Sequence, residues 1–247
     1  MTARRVIAIV PAHNEQGAVG DVIDEIRSTN PTFDIVVIDD GSTDGTARVA
    51  VSRGAAVVRL PYNLGIGGAV QTGFRYALEQ GYELAVRLDG DGQHDPTLLA
   101  SLLIPIEAGD ADIAIGSRFV GGRDGGDGYR PPLGRRIGIT WFAKLVSMLT
   151  RQRVTDTTSG FQAMNRKGIA LFARDYPNDY PEVEAMLLVY KHRLRLVEVP
   201  VEMRVREHGE SSITFIRSIY YAIKVTIALL VAMARKHAVP ADEAVGA

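Results

Sequence analysis

Short apolar runs, each ending in a turn that carries glycine or acid, set the rhythm of the first half of the chain. Val6–Pro11, Phe33–Ile38, Ala55–Leu60, Leu84–Leu88 and Asp112–Gly116 read as strands. Between them, Gln16–Ser28, Asp44–Arg53, Gly68–Glu79 and Pro96–Glu107 read as helices. Runs such as Ile35-Val36-Val37-Ile38 are continuously apolar rather than alternating, as in strands covered on both faces. Strand–helix alternation of this length predicts an α/β fold, a mostly parallel, doubly wound sheet.

The pattern then changes. Gly121 to Pro132 holds five glycines and two prolines and reads as a mobile loop. Beyond it Arg136–Thr150 and Glu182–His192 look helical and Gly160–Asn165 extended. Leu194–Val205 is a strand candidate whose Pro200 implies an edge position or a bulge. A final amphipathic helix carries Ile213, Ile216, Ile219, Tyr220, Ile223, Ile227, Leu230 and Val231 on one stripe, which core packing would explain. Its Arg217, Lys224, Arg235 and Lys236, with Phe215, Tyr220 and Tyr221, equally suit a membrane interface or a partner's surface. The chain therefore divides into a domain over 1–212, a helix over 213–236 and a tail over 237–247. Arg217 and Lys224 interrupt the last helix, so no segment reaches the roughly 20 apolar residues that span a bilayer.

Composition narrows the function. At 247 residues the length fits one α/β domain, and a formal charge of -1 does not suggest a nucleic-acid binder. The absence of cysteine excludes disulfides, thiolate metal sites and a cysteine nucleophile. Arg4-Arg5 leads directly into a short strand, so no secretory signal is expected.

Chemistry-bearing residues recur just after strands, and in an open α/β sheet that edge is where ligands bind. Pro11–Glu15 follows the first strand, Asp39–Ser42 the second, and Asp89-Gly90-Asp91-Gly92-Gln93-His94 the fourth. Asp89 and Asp91 are hard oxygen ligands suited to Mg²⁺ or Mn²⁺ holding a phosphate-bearing substrate. A calcium loop is excluded, since position six is His94 rather than Gly and position twelve is Ala100 rather than Glu. Asp39 and Asp40 could accept N–H or hydroxyl groups of a nucleoside, while Ser42 and Asp44 could cap the next helix. Asn63-Leu64-Gly65-Ile66-Gly67-Gly68 is no dinucleotide loop, because the third glycine position holds Val70; it reads as tight helix–sheet packing. Arg118, Arg123, Arg130, Arg135 and Arg136, with Arg204 and Arg206, concentrate where a phosphate could be gripped. His94 stands open as base, ligand or structural residue. His208-Gly209-Glu210-Ser211-Ser212 reads at least as a turn before the last helix.

Taken in order, these pieces resemble family 2 glycosyltransferases of the GT-A fold, and most of all the branch of dolichyl- and polyprenyl-phosphate sugar transferases. The resemblance runs from Val6 to about Ile213. It rests on Val10-Pro11-Ala12-His13-Asn14-Glu15, Asp39-Asp40-Gly41-Ser42, Asn63-Leu64-Gly65, Asp89 to His94, Gly116-Ser117-Arg118-Phe119, Thr158-Ser159-Gly160-Phe161 and Arg206-Glu207-His208-Gly209-Glu210-Ser211. It implies a Rossmann-like, mostly parallel mixed sheet with helices on both faces. It further implies that Pro11, Ala12, Glu15 and Asp40, with Asp89, hold the nucleotide of a nucleotide-sugar donor. Asp89, Asp91 and Gln93 would hold Mg²⁺ or Mn²⁺ on the diphosphate. Arg118, Arg135 or Arg136, and Ser159 would face an acceptor phosphate, and Arg206 the phosphates more generally. The family often has Lys after the Gly-Glu-Ser triplet; Ser212 stands there in this chain. Bacterial members of the branch with extra domains mostly carry two transmembrane helices, so here membrane contact would fall to the last helix or to a small membrane partner. The expected place is the cytoplasmic face of the membrane, peripherally bound.

Charge sets the catalytic expectation. Breaking a sugar–phosphate bond builds negative charge on the departing nucleoside diphosphate, which a metal and arginines stabilise. This gives Asp91, Arg118 and Arg206 catalytic roles. A hydroxyl acceptor would need a base, for which Glu182 and Glu184 are candidates, Glu184 foremost; in a helix's first turn such acids also suit the dipole. A lipid monophosphate needs none, and the arginines favour it. A hydroxyl of a cell-envelope glycan is the alternative acceptor. Two other readings are a sugar nucleotidyltransferase, whose glycine-rich basic loop is missing after the first strand, and a non-catalytic nucleotide-sugar-binding subunit, against which Asp89 and Asp91 argue.

Overall fold

The computed structural model of the chain describes residues 5–120, 133–150, 152–178 and 181–204, together with Lys224 and Thr226. Along the chain run β1 (Val6–Ala12), α1 (Val19–Thr29), β2 (Asp34–Asp39), α2 (Thr46–Ser52), β3 (Ala56–Arg59), α3 (Gly65–Glu79) and β4 (Leu84–Arg87). A 3₁₀ turn over Pro96–Leu98 leads into α4 (Leu99–Glu107), followed by β5 (Ile113–Ser117), α5 (Leu133–Thr150) and β6 (Gln162–Asn165). Then come α6 (Arg166–Arg174), α7 (Pro181–Lys191) and β7 (Leu196–Pro200).

The strands form one seven-stranded sheet in the order β3-β2-β1-β4-β6-β5-β7. All neighbours are parallel except β6, which runs antiparallel to both β4 and β5. The mixed, mostly parallel α/β architecture is the one expected. The order reverses at β1, where β2 and β4 lie on either side, and that is where an open α/β sheet leaves a crevice at its carboxyl edge.

Period-two alternation splits β1 between two cores. Ile7 and Ile9, with Val36 and Ile38, pack beneath Val70 and Phe74 of α3, Phe172 of α6 and Met186 of α7. Ala8 and Val10, with Ile35 and Val37, meet Val22, Ile23 and Ile26 of α1 and Leu99, Leu102 and Leu103 of α4. Burying each such Ile, Leu or Phe side chain stabilises the fold by about 1.5–3 kcal/mol, so the central strands are held from both sides. Helix α3 lies unusually close to the sheet. A Cβ on Gly73 would come within 2.3 Å of Ile9 Cγ2, and one on Gly67 within 2.4 Å of the Pro177 carbonyl. The glycine cluster expected to pack on the sheet does so differently: its Gly67 meets the segment after α6, and the close approach to the sheet is made by Gly73, one turn beyond the cluster.

Several boundaries differ from the sequence reading for identifiable reasons. Helix α1 starts at Val19 rather than Gln16 because Asn14, Glu15 and Gln16 are bonded to the turn after β2. The segment before α4 is a 3₁₀ turn, capped by Asp95, whose Oδ1 accepts from Thr97 N at 3.0 Å. Helix α6 was not anticipated; Asn165 starts it, accepting from Lys167 N at 2.9 Å and Gly168 N at 3.2 Å. Strand β7 is shorter than expected and sits at the sheet's edge with Pro200 as its last residue, where a missing N–H costs no ladder bond.

The glycine-rich loop, Arg206, the segment from His208 to Ser212 and the proposed C-terminal helix lie outside the described residues, apart from Lys224 and Thr226. Those two are helical, and Trp141 Nε1 of α5 donates to Thr226 Oγ1 at 3.4 Å. No helix among the described residues is long and apolar enough to cross a membrane.

Candidate active site

Three strand ends build one crevice. Its walls are Pro11, Ala12, His13 and Glu15 after β1, Asp40 after β2, Asn63, Gly65, Ile66 and Ala69 at the start of α3, and Asp89, Gly90 and Asp91 after β4. They enclose about 250 Å³. All the residues expected to hold a nucleotide therefore stand in one place.

The floor beside β2 is fixed by hydrogen bonds. Asp39 is fully buried; its Oδ1 accepts from Ser42 N at 3.0 Å, and Arg59 Nε lies 3.4 Å from Oδ2 without forming a hydrogen bond. Asp39 therefore shapes the turn, and Asp40 alone reaches the crevice. Gly41 has φ +65 and leaves no room for a side chain, since an added Cβ would lie 2.6 Å from the Tyr62 carbonyl carbon. That close approach lets Asp40 Oδ1 accept from Leu64 N at 2.7 Å, which sets the entry to α3. The loop after β1 is laced to the turn after β2: Asn14 N donates to Ser42 Oγ and Glu15 N to Thr46 Oγ1, both at 2.9 Å, and Gly45 N to Gln16 Oε1 at 2.7 Å. Asp44 completes the lacing. Burial works against its charge, yet hydrogen bonds from Thr46 and Gln16 outweigh that and hold its carboxyl below the usual range.

After β4 the chain turns tightly past β1. Gly90 N donates to the Pro11 carbonyl at 3.2 Å, and a Cβ on Gly90 would meet Ala12 Cβ at 3.2 Å. Gly92 has φ +77, and Gln93 N closes back onto Asp91 Oδ1 at 3.1 Å. Behind Asp89 stands Gly160, where a Cβ would lie only 3.0 Å from Asp89 Oδ2. Among the described residues no group of three or more His, Cys, Asp or Glu side chains could cage a metal. Two carboxylates at the mouth of a crevice are hard oxygen donors of the kind that would hold Mg²⁺ or Mn²⁺ if phosphate oxygens and water supplied the remaining ligands. The donor chemistry fits that cation.

Beneath the acids lies a feature that the motifs did not disclose. Arg87, in the middle of the sheet, is 0% exposed. Its Nη1 donates to Tyr176 OH at 2.9 Å, and its Nη2 lies 3.1 Å from Glu182 Oε1 and 3.4 Å from Asp89 Oδ1. Burial opposes the guanidinium charge, but Tyr176, Asp89 and Glu182 together raise its pKa above the usual value. Burial also raises the Tyr176 hydroxyl well above its ordinary range. The legible signal was a lone charge within the apolar strand, two residues before Asp89 and so on the same face. Glu182, not Glu184, is the helix α7 acid that meets this group. Positions two apart lie about 200° apart around a helix, so both cannot face it.

The residues expected to face an acceptor phosphate are placed as follows. Arg118, at the end of β5, is buried and grips fully buried Asp156 through Nε at 2.7 Å and Nη2 at 2.8 Å, with Thr158 Oγ1 2.6 Å from Nη2. Glu198 of β7 supports the same loop, accepting from Thr155 N and Asp156 N, each at 2.8 Å. Asp156 and Glu198 were not singled out in the sequence, where no motif marks them. Ser159 is fully buried and its hydroxyl accepts from Phe161 N at 3.3 Å, so it shapes the loop behind Asp89. Arg135 and Arg136 lie in the first turn of α5.

Comparison with known proteins identifies the class. The sequence profile of glycosyl transferase family 2 matches residues 7–172. Undecaprenyl-phosphate mannosyltransferase of Micrococcus luteus is 33% identical over 219 residues, covering 85% of this chain and 88% of that protein. Polyprenol monophosphomannose synthase of Mycolicibacterium smegmatis is 32% identical over 221 residues, covering 85% and 82%. Among solved structures, glucosyl-3-phosphoglycerate synthase from Mycobacterium tuberculosis, crystallised with Mn²⁺, UDP and glucosyl-3-phosphoglycerate, matches with a TM-score of 0.69 at 22% identity. That match covers 94% of this chain and 80% of the other. The chain belongs to glycosyltransferase family 2 and has the GT-A fold. It is a glycosyltransferase, and it resembles the polyprenyl-phosphate branch of that family.

Proposed function

We propose that this glycosyltransferase moves a hexosyl group, with inversion, from a nucleoside-diphosphate sugar to a polyprenyl phosphate at the cytoplasmic membrane face. The observation that carries the donor half is the convergence of Asp40, Asp89 and Asp91 on one crevice. The acceptor half is supported by the likeness, over 85% of the chain, to two proteins named for polyprenyl-phosphate mannosyl transfer.

Under this reading Asp40 accepts an N–H or hydroxyl of the nucleoside, with Pro11, Ala12 and Glu15 as the surrounding wall. Asp89 and Asp91, with Gln93 beside them, hold a divalent cation against the diphosphate. Such a cation, when bound, neutralises the charge that grows on the leaving group. Arg135, Arg136 and Arg206 draw the acceptor's anionic headgroup towards the crevice, beside the loop that the buried Arg118–Asp156 pair holds in place. Ser159 contributes by shaping the loop rather than through its buried hydroxyl. A phosphate monoester has a second pKa near 6, so its oxygen arrives ionised and attacks the anomeric carbon without a base. A single displacement from the face opposite the leaving group inverts the anomeric centre.

Of the two acids of α7, Glu182 is committed to the buried Arg87 and so is withdrawn as a base. Glu184 is the base a hydroxyl acceptor would call upon. The test is a screen of sugar nucleotides with Mn²⁺ or Mg²⁺ and polyprenyl phosphate, following release of nucleoside diphosphate. With the active donor, Asp91→Ala should lower turnover by about 100-fold or more, on the scale of losing a group that stabilises transition-state charge. Unchanged metal-dependent turnover in that variant refutes the metal site.

A further inference from the structure

His94 has so far been given no role. Its ring is buried, 4% exposed, and stacks on Phe161 with centroids 5.0 Å apart and planes within 8°. Its Nδ1 accepts from the backbone N–H of Asp89 at 3.0 Å, five residues back along the chain. An imidazole nitrogen accepts only when it carries no proton, so the neutral ring has its hydrogen on Nε2. The backbone is held at the same point. His94 pairs antiparallel with Met203, and Arg204 N donates to the Gln93 carbonyl at 2.9 Å.

We infer that His94 is a positioning residue: it clasps the two ends of the Asp89–His94 loop and thereby sets where the Asp89 and Asp91 carboxylates stand. The loop needs such a clasp. Gly90 and Gly92 bring backbone freedom that the narrow approach to β1 and the positive φ demand, and glycine's entropy in the free chain works against any single arrangement. Gly90 N to Pro11 and Gln93 N to Asp91 fix the middle of the loop, and the His94 side chain ties its end to its beginning. The ring stacks on Phe161 while the main chain at Gln93 and His94 pairs with the 203–204 segment, so the clasp is held by ring and backbone alike. His94 therefore acts on chemistry through Asp89 and not by touching a substrate.

This inference rests on the metal reading proposed above, and the experiment separates the two. Binding of Mn²⁺ would be measured by electron paramagnetic resonance in the presence of uridine or guanosine diphosphate, with no turnover required. His94→Asn offers an amide oxygen near the position of Nδ1, whereas His94→Phe keeps the stacking and removes the acceptor. The expected result is Mn²⁺ binding about tenfold or more weaker in His94→Phe, on the scale of losing an outer-shell partner. His94→Asn should stay within about threefold of the parent, since the hydrogen bond survives. Equal binding by His94→Phe and the parent, or equal losses in both variants, overturns the inference and leaves the metal reading intact. No saturable Mn²⁺ binding by the parent overturns both. Should His94→Phe fail to fold, the parent decides by ¹⁵N spectroscopy: a scalar coupling from the Asp89 amide to Nδ1 and a proton on Nε2 support the clasp, and a ring protonated on Nδ1 refutes it.

Discussion

Arg87 occupies a position where a strand of this kind would ordinarily carry an aliphatic residue, and its burial makes its partners matter more than any surface ion pair would. Removing one of them leaves a buried cation under-compensated. Glu182→Ala should lower the unfolding free energy by about 2–4 kcal/mol, read as a shift in urea midpoint at unchanged slope. A second ion pair, between buried Asp112 and the exposed Arg195, lies at the opposite end of the sheet. Asp112 accepts from Arg195 N at 2.9 Å and from Asn165 Nδ2 at 2.9 Å, joining the starts of β5 and β7 to the end of β6. Burial raises its pKa, but the hydrogen bonds from Arg195 and Asn165 prevail and its folded value is depressed. A depressed carboxylate contributes stability that is present above its unfolded pKa of about 3.9 and is lost as pH falls through the folded value. Asp112→Asn should therefore cost about 1–2 kcal/mol at pH 7, and the gap from the parent should close below about pH 4. Parallel urea titrations at the two pH values measure it.

At the scale of elements, close packing of α3 on β1 holds the crevice's two walls in register. Gly73→Ala is favourable for an isolated helix by about 1 kcal/mol. Here the new methyl would meet Ile9 Cγ2 at 2.3 Å, so the net effect should be a loss of about 1–3 kcal/mol, visible in thermal or urea unfolding. How far the elements could be read from sequence depended on where their hydrogen bonds go. β1, β2 and β4 announced themselves because both faces are buried, and their terminal acids followed from the strand ends. Helix α6 escaped notice because it begins immediately at the end of β6, with no turn residues between them except its own cap, Asn165. The start of Gln16–Ser28 stays out of the helix because Gln16 N is bonded to Asp44, directly after Asn14 N and Glu15 N are bonded to Ser42 and Thr46. The site was legible in the same uneven way. Asp40, Asp89 and Asp91 stand in recognisable motifs, while Asp156, Tyr176, Glu182 and Glu198 act through contacts 38 to 95 residues apart in sequence, which no local pattern encodes.

At the scale of the whole molecule, the sheet divides its labour between its two edges. The amino edge carries structural ion pairs such as Asp112–Arg195, whereas the carboxyl edge gathers the carboxylates of the crevice and, at the end of β5, the Arg118–Asp156 pair. Under the proposed reading the donor side is built from Pro11 to Asp91 and the acceptor side from Arg118 onwards. Arg87 joins them, reaching from Asp89 of the first to Glu182 of the second. The proposed single displacement requires both substrates to meet at the Asp89–Asp91 turn. Its most direct test is the dependence of nucleoside diphosphate release on polyprenyl phosphate, using the donor that the protein accepts, with the anomeric configuration of the product determined by NMR. The account predicts saturable, lipid-dependent release and a glycosyl phospholipid of inverted configuration. Release that does not respond to the lipid phosphate, or a product with the sugar on a hydroxyl or in retained configuration, would contradict it.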